Sequence, residues 1–263
     1  MFEELYEPLP DIDAYLERIG IDRPRPATPE FLDELIYAHQ LNVPFENLEV
    51  YERGQAVSLA KVDLFDKIVT RKRGGYCFEL NGLFFSLLQQ LGFDVQPSMA
   101  RVLIRPNPHP AITHRATIVH FGEKSYLADV GFGGPMPNFA PLLEDGVSRT
   151  ELGQAFTLHV HDANWWDVGY TGSSGEEQIV LRACSMPAEE QDFHVFSFFQ
   201  SVNPESVFRQ RRQANIRTLN GSRNLMDKTY TEHVDGQKTV FELETEEDYD
   251  RILKDSFGIV NWR

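Results

Sequence analysis

The stretch RKRGGYCFELNG, residues 71–82, sets one of the two cysteines of the chain behind a basic triplet and a glycine pair. After it Leu80, Leu83, Phe84, Leu87, Leu88 and Leu91 recur at helical spacing, and Gly92 is placed to end the helix. The spacing therefore predicts Cys77 in a first helical turn. Unpaired amides and the helix dipole favour a negative group there, which is the setting of a nucleophilic thiolate. Nucleophilic use also requires a base. From this stretch alone the cysteine reads equally well as a small buried core residue.

Of the histidines, His109 lies in a proline-bracketed loop, His120 near a strand end, and His159 and His161 alternate along a later strand; each reads as structural or solvent-facing. His114 differs. It sits inside AITHRATIVHFG, and EKSYLADVGFGG follows as a partner strand across a turn at Gly122. With Phe121-Gly122 or Gly122-Glu123 as a two-residue loop, antiparallel pairing sets Asp129 opposite His114 or Ala116. Either register puts the carboxylate on the face that carries His114. A carboxylate beside the imidazole would orient the ring and fix its tautomer, the third role in a Cys-His-Asp arrangement. A His and an Asp also meet on facing strands by chance, so spacing leaves the reading open. Cys184 has neither a glycine lead nor a nearby His-Asp pair and reads as a spectator.

The elements that must position these residues follow a simple order. The first ninety residues read as helical. TPEFLDELIYAHQ has Thr28 as N-cap, Pro29 at the first helical position, and Phe31, Leu32, Leu35, Ile36 and His39 on one face. SLAKVDLFDKIVTRK has Ser58 as cap and Leu64, Phe65, Ile68 and Val69 as its stripe, and VPFENL breaks the helices between them. FDVQPSMARVLI, AITHRATIVHF, SYLADVGF, QAFTLHVH and QIVLRACS then read as short antiparallel strands. In the last third DFHVFSFFQS reads as a connecting helix, KTYTEHVDGQKTVFEL as a hairpin turning at Asp235-Gly236, and TEEDYDRILKDSFG as a helix with a Thr245/Asp248 capping box.

Composition narrows the partners. The 263 residues carry 40 acidic against 25 basic side chains, a net charge of −15, which argues against nucleic acid or an anionic membrane as a partner. No apolar run approaches the ~20 residues of a membrane span, and the start, MFEELYEPLPDIDAYL, is acidic where a secretory leader is basic and then apolar; a cytoplasmic protein is expected. Two widely separated cysteines, with no CxxC or Cys/His cluster, offer neither a disulfide scaffold nor a metal site.

VPFENL, RKRGGYCFELNG, THRATIV and LADVGFGG, in this order and at these intervals, resemble the arylamine N-acetyltransferase family, including the related amide synthases that close ansamycin rings. The resemblance is close from about residue 30 to 135. It is looser where DFHVFSFFQSVNPESVF resembles the family's interdomain stretch and TEEDYDRILKDSFGI its closing helix. The chain departs from the family at QIVLRACSMPAEEQDF, where an aromatic Trp/Tyr segment is usual.

The resemblance implies an α+β fold with a cysteine-protease-like triad: a helical bundle over residues 1–92 carrying the cysteine, an antiparallel β-barrel over 93–188 carrying His114 and Asp129, and an interdomain helix with an α/β lid over 189–263. It implies Cys77 as acyl-accepting nucleophile, His114 as its base and Asp129 as the orienting residue. Phe45, Phe132 and Phe198 would wall the acceptor pocket, and Gly133, Gly134 and Ser201 would contact coenzyme A. Acetyl-coenzyme A is the implied acyl donor, a small aromatic amine or hydrazine the acceptor, and a homodimer is among the implied partners. The reaction would be ping-pong, with oxyanion donors from the Cys77 amide and a backbone group of VGFGG. Coenzyme A phosphates need a local basic patch, for which Arg209, Arg211 and Arg212, or Arg101 and Arg105, are candidates. Glu46 and Arg73 would pair across the bundle. An amide synthase, a thiol hydrolase or a transglutaminase-like amidase would use the same three residues.

Overall fold

Helix starts follow their caps. Asp11 accepts a hydrogen bond from the Ala14 amide (2.9 Å) and opens α1, Ile12–Ile19, in the computed structural model, which describes residues 2–260 and 262. Thr28 accepts from the Phe31 amide (3.2 Å) and Pro29 begins α2, Pro29–Asn42, whose stripe of Phe31, Leu32, Leu35, Ile36 and His39 is buried. Pro44 then forces extended chain: Phe45–Glu46 form β1, followed by α3, Leu48–Arg53. The next helix begins at Lys61 and not after Ser58, whose hydroxyl accepts from the nearby Ala60 amide (3.2 Å) and caps a turn instead. This α4, Lys61–Phe65, widens into a π-turn over Asp66–Thr70 and buries Leu64, Phe65, Ile68 and Val69 as expected. Helix α5, Cys77–Gln90, is buried on every side from residue 77 to 88, so it forms the centre of the helical part.

Seven antiparallel strands follow: β2 (Asp94–Val102), β3 (His114–Phe121), β4 (Lys124–Ala128), β5 (Ser148–Glu151), β6 (Gln154–Val160), β7 (Trp165–Thr171) and β8 (Glu177–Cys184), ordered β4-β3-β2-β8-β7-β6-β5. The barrel expected from the sequence does not close. Strands β4 and β5 remain edges, and the sheet is a curled half-barrel. The outer side of β4 is taken by the connecting segment, through Leu127 N to Pro141 O (2.9 Å) and Leu143 N to Ser125 O (2.8 Å), while β5 is only four residues long.

Helices α6 (Glu190–Val202) and α7 (Val207–Gln210) lead into a second sheet, ordered β1-β9-β10-β11-β12, with β9 Gln213–Thr218, β10 Gly221–Met226, β11 Thr229–Val234 and β12 Gln237–Glu242. Strand β1 belongs to this C-terminal sheet although it comes from the first ninety residues. Asp235 and Gly236 make the expected turn, both at positive φ (49° and 78°). The Thr245/Asp248 box opens α8, Glu246–Phe257, which packs Tyr249, Leu253 and Phe257 on Ala214, Leu225 and Tyr230.

His39 generates a stability prediction. It is fully buried between Tyr15 and Phe84 (ring centroids 6.0 and 5.5 Å), and neither ring nitrogen has a hydrogen-bond partner. Burial, reinforced by the Arg18 charge, pushes its pKa down to about 3. The unfolded chain, with histidine near 6.5, binds the extra proton first, so this stabilising contribution is present above pH 6.5 and is lost as pH falls toward 3, at about 1.4 kcal/mol per unit. Urea melts of His39→Leu and the parent across that window test this. The variant's acid sensitivity should be shallower, and parallel curves would contradict it.

Candidate active site

The glycine pair before Cys77 exists because another backbone passes close to it. Gly75 N donates to Pro44 O (3.4 Å) and Glu46 N to Gly75 O (2.9 Å), and a Cβ on Gly74 would lie 2.0 Å from Pro44 O. Neither glycine has a positive φ; Lys72, at φ 54°, makes the left-handed step. Close approach, and not a left-handed turn, is therefore the reason for these glycines. Glu46 and Arg73 do pair. Glu46 Oε1 accepts from Arg73 Nε (3.0 Å) and Nη2 (2.6 Å), Oε2 accepts from the Leu48 amide (2.9 Å), and the side chains are 0% and 6% exposed. Burial pushes the Glu46 carboxyl up, but Lys67 and Arg73 hold it below the usual range. Lys67 in turn binds Glu79 Oε1 (2.7 Å), and Glu79 Oε2 accepts from the Tyr76 amide (3.0 Å), the residue before the cysteine.

Cys77 is the first residue of α5 and 2% exposed, with its amide in the turn that has no intrahelical acceptor and its Sγ 3.7 Å from Thr113 O. The next residue after Thr113 is His114. Its Nε2 lies 2.6 Å from Asp129 Oδ2, which leaves Nδ1 as the ring nitrogen open to Cys77. Phe121 pairs with Lys124, so the loop is Gly122-Glu123, and continuing that register sets Asp129 level with Ala116 and diagonal to His114, the second of the two registers above. Burial alone would lower the His114 pKa, but the Asp129 carboxylate and the Cys77 thiol raise it to about 10, so the ring is cationic at neutral pH.

Asn81 completes this arrangement and is a residue that sequence reasoning missed. It lies one helical turn beyond Cys77, on the same face of α5. Its Nδ2 donates to Asp129 Oδ1 (2.9 Å) and Arg115 O (2.6 Å), and its Oδ1 accepts from the Val130 amide (2.9 Å). Asp129 Oδ1 also accepts from Gly131 N (2.9 Å). A Cβ on Gly131 would lie 3.1 Å from Cys77 Cα, so helix and strand end meet in contact. The i,i+4 spacing within CFELNG is the signal by which Asn81 could have been found.

Three further groups hold the surroundings. Arg115, next to His114, grips both oxygens of Glu190 at the start of α6 and lies 4.3 Å over the Phe193 ring; Lys61 Nζ joins the same carboxylate at 2.8 Å. Burial opposes this charge, yet Arg115 and Lys61 hold the Glu190 carboxyl down at about 2. Gln40 of α2 donates to Asp129 O (3.2 Å) and Pro137 O (2.8 Å) and is held by Arg217 Nε (2.7 Å). From β9, Arg217 Nη2 also reaches Met136 O (2.6 Å) and Asn215 Nδ2 reaches Gly133 O (3.2 Å).

The remaining expected residues divide. Phe132 stands 5.4 Å from the His114 ring, a Cβ on Gly134 would touch the Phe132 ring at 3.2 Å, and one on Gly133 would touch the Phe45 ring at 3.1 Å. On α6, Phe198 is half-exposed, and Ser201 is fully buried with its hydroxyl donated to Ser197 O (2.8 Å) and Phe198 O (3.2 Å). Among the basic candidates, Arg209 caps the Val50 carbonyl (2.7 Å), Arg212 is bidentate on Glu246 (2.8 and 2.9 Å), and Arg101 bonds Pro110 O and lies 4.9 Å over Trp165. Arg105 and Arg211 are the exposed cations left of that group. In VGFGG the Val130 and Gly131 amides are committed to Asn81 and Asp129, which leaves the later amides for an oxyanion. Cys184 is fully buried, His120 bonds Ser125 Oγ (2.9 Å), and His159 and His161 face Glu177 and Asp167. Among the described residues no His/Cys/Asp/Glu cluster could hold a metal ion.

Residues 28–261 match the family model described as N-acetyltransferase. The chain is 33% identical over 232 residues to an arylamine N-acetyltransferase of Mycolicibacterium smegmatis, covering 86% of this chain and 83% of that protein. It superposes on the arylamine N-acetyltransferase structure from Mycobacterium tuberculosis with a TM-score of 0.89, 30% identity and coverage of 95% and 94%. It is similarly close to the Mycobacterium marinum arylamine N-acetyltransferase in complex with CoA, with a TM-score of 0.88, 32% identity and coverage of 95% and 93%.

The Glu46–Arg73 pair carries a direct test. Glu46→Gln or Arg73→Met leaves one buried charge without its partner and should cost about 3 kcal/mol, whereas the double variant should cost much less than the two singles together. Thermal unfolding gives the cycle, and iodoacetamide labelling reports whether Cys77 keeps its setting. Additive losses with unchanged labelling would contradict a supporting role.

Proposed function

The chain belongs to the arylamine N-acetyltransferase family, and on that premise we propose that it transfers an acetyl group from acetyl-coenzyme A, through a Cys77 acyl-enzyme, to the nitrogen of an arylamine, hydrazine or N-hydroxyarylamine. One observation supports the reading: a buried imidazole held by a carboxylate through Nε2, beside a cysteine at a helix N-terminus whose Sγ is 3.7 Å from the carbonyl oxygen of Thr113, the residue before that histidine. In this reading residues 1–92 supply the nucleophile, 93–188 the base and its orienting acid, and 189–263 cover them.

In the resting pair the proton already sits on His114, and the Cys77 thiolate attacks the thioester carbonyl. The Cys77 amide and an amide beyond Gly131 receive the oxyanion. The tetrahedral adduct collapses by breaking the bond to the coenzyme A sulfur, which leaves with a proton from His114. The acceptor nitrogen then attacks the acetyl-cysteine, His114 takes the amine proton, and the Cys77 thiolate leaves. Asp129 keeps the ring in one orientation and balances its charge in each half-reaction. Phe132 and Phe45 provide flat apolar walls for an aromatic acceptor, and Gly133 and Gly134 permit the close approach of the acyl donor.

Intact mass after incubation with acetyl-coenzyme A tests the reading. One acetyl group should appear on the parent, map to Cys77, be absent from Cys77→Ser, and be discharged by a small arylamine faster than by water. An adduct that persists in Cys77→Ser or maps to Cys184 overturns the assignment; discharge at equal rates with and without the amine points to a hydrolase.

A further inference from the structure

Strand β12 is a free sheet edge. It lies at the end of the β1-β9-β10-β11-β12 sheet, runs six residues in unbroken register against β11, and is solvent-exposed along its whole length. Val240 and Phe241 are 49% and 52% exposed. Sheet edges are normally blunted by proline, a bulge, a covering segment or an unpaired lysine. This one has no proline or register shift, and its single lysine has a carboxylate four residues further along on the same face of the strand.

The hydrogen-bond phase fixes which groups face outward. Around the two-residue turn at Asp235-Gly236, Val234 and Gln237 form the doubly bonded pair, and the bonded pairs then alternate through Glu232–Thr239 and Tyr230–Phe241. Leu243 N donates to Lys228 O (2.8 Å), which keeps the same phase at the far end. The outward amides and carbonyls therefore belong to Lys238, Val240 and Glu242. Only an antiparallel register that sets outward residues against outward residues can use them.

We propose that β12 pairs with β12 of a second copy of this chain, antiparallel and centred on Val240, joining two five-stranded sheets across a two-fold axis. In that register Lys238 faces Glu242 of the other copy at both ends, Thr239 faces Phe241, and Val240 faces itself. No like charges oppose each other between residues 237 and 243. Lys238 has no ion-pair partner within its own chain among the described residues, and Glu242 uses Oε1 to accept from Thr229 Oγ1 (2.7 Å), leaving Oε2 for the incoming ammonium. The contact is isologous and self-limiting, because the opposite edge of the sheet, β1, lies inside the fold against Gly75. A single strand pair buries less than a standard interface, so the dimer is weak and concentration-dependent.

Sedimentation velocity across a concentration series tests the proposal on the full chain. The parent should show a monomer–dimer equilibrium, and Lys238→Glu and Glu242→Lys should each weaken it by about tenfold or more, because each sets like charges together twice. The double variant Lys238→Glu with Glu242→Lys should restore association. Val240→Pro should abolish it without loss of fold, since the Val240 amide makes no bond to β11; unchanged iodoacetamide labelling of Cys77 serves as the folding control. A parent that stays monomeric throughout, single charge reversals that associate as the parent does, or a double variant that fails to recover overturns the proposal.

Discussion

The site depends on the satisfaction of one buried carboxylate. Asp129 is 5% exposed and stands at the end of β4, where an ionised carboxyl without partners would be strongly disfavoured. One oxygen meets His114, and the other accepts from Asn81 and from Gly131. Those bonds can form only if α5 is seated against the ends of β3 and β4 with its first turn at the strand, which is what brings Cys77 to the imidazole. The contact that charges His114 and the contact that docks the helix thus share one residue. Gln40, on α2, holds the Asp129 carbonyl as well, so three parts of the chain converge on the same backbone step.

Around that point the chain uses buried ion pairs as locators. Arg115, Lys61 and Glu190 join β3, α4 and α6, while Glu46, Arg73, Lys67 and Glu79 join β1, the π-turn, the glycine segment and the first turn of α5. Such pairs add little net stability over an apolar replacement, because desolvation offsets attraction. They are costly to break singly, however, and each has one geometry. Their consequence here is a fixed relative position for three segments far apart in sequence, which a ring nitrogen and a thiol require if a proton is to pass between them. The C-terminal sheet contributes in the same way, through Asn215 and Arg217 on the carbonyls of the glycine loop.

Much of this was legible where local periodicity and geometry coincide. The α5 stripe puts Cys77 in a first turn, and the alternation along β3 and β4 puts Asp129 on the His114 face in either register. The rest depended on information that periodicity does not carry. Strand β9, QANIRT, offers only Ala214 and Ile216 as an apolar face, since its Asn215 and Arg217 face meets polar loop carbonyls, and β10, GSRNLM, shows no apolar alternation. Strand β7 begins with Trp165-Trp166 beside a turn, and its register shifts between Val168 and Gly169, which breaks the alternation. Barrel closure is decided by what covers the edge of β4, a contact with residues 141–143 that no local pattern announces. Gly74 answers to Pro44, some thirty residues earlier, and its role emerges only once the two segments are seen side by side.

The central claim is that Asp129 keeps His114 cationic beside Cys77. The most direct measurement is an NMR titration of the His114 ring nitrogens in the parent and in Asp129→Asn. The account predicts a parent imidazole still protonated at pH 8 that loses its proton near the value of about 10 set by Asp129 and Cys77 against burial. Replacing the carboxylate should bring that midpoint down to the ordinary histidine value of about 6.5 or below. A parent ring that titrates near 6.5, unchanged in Asp129→Asn, would contradict it.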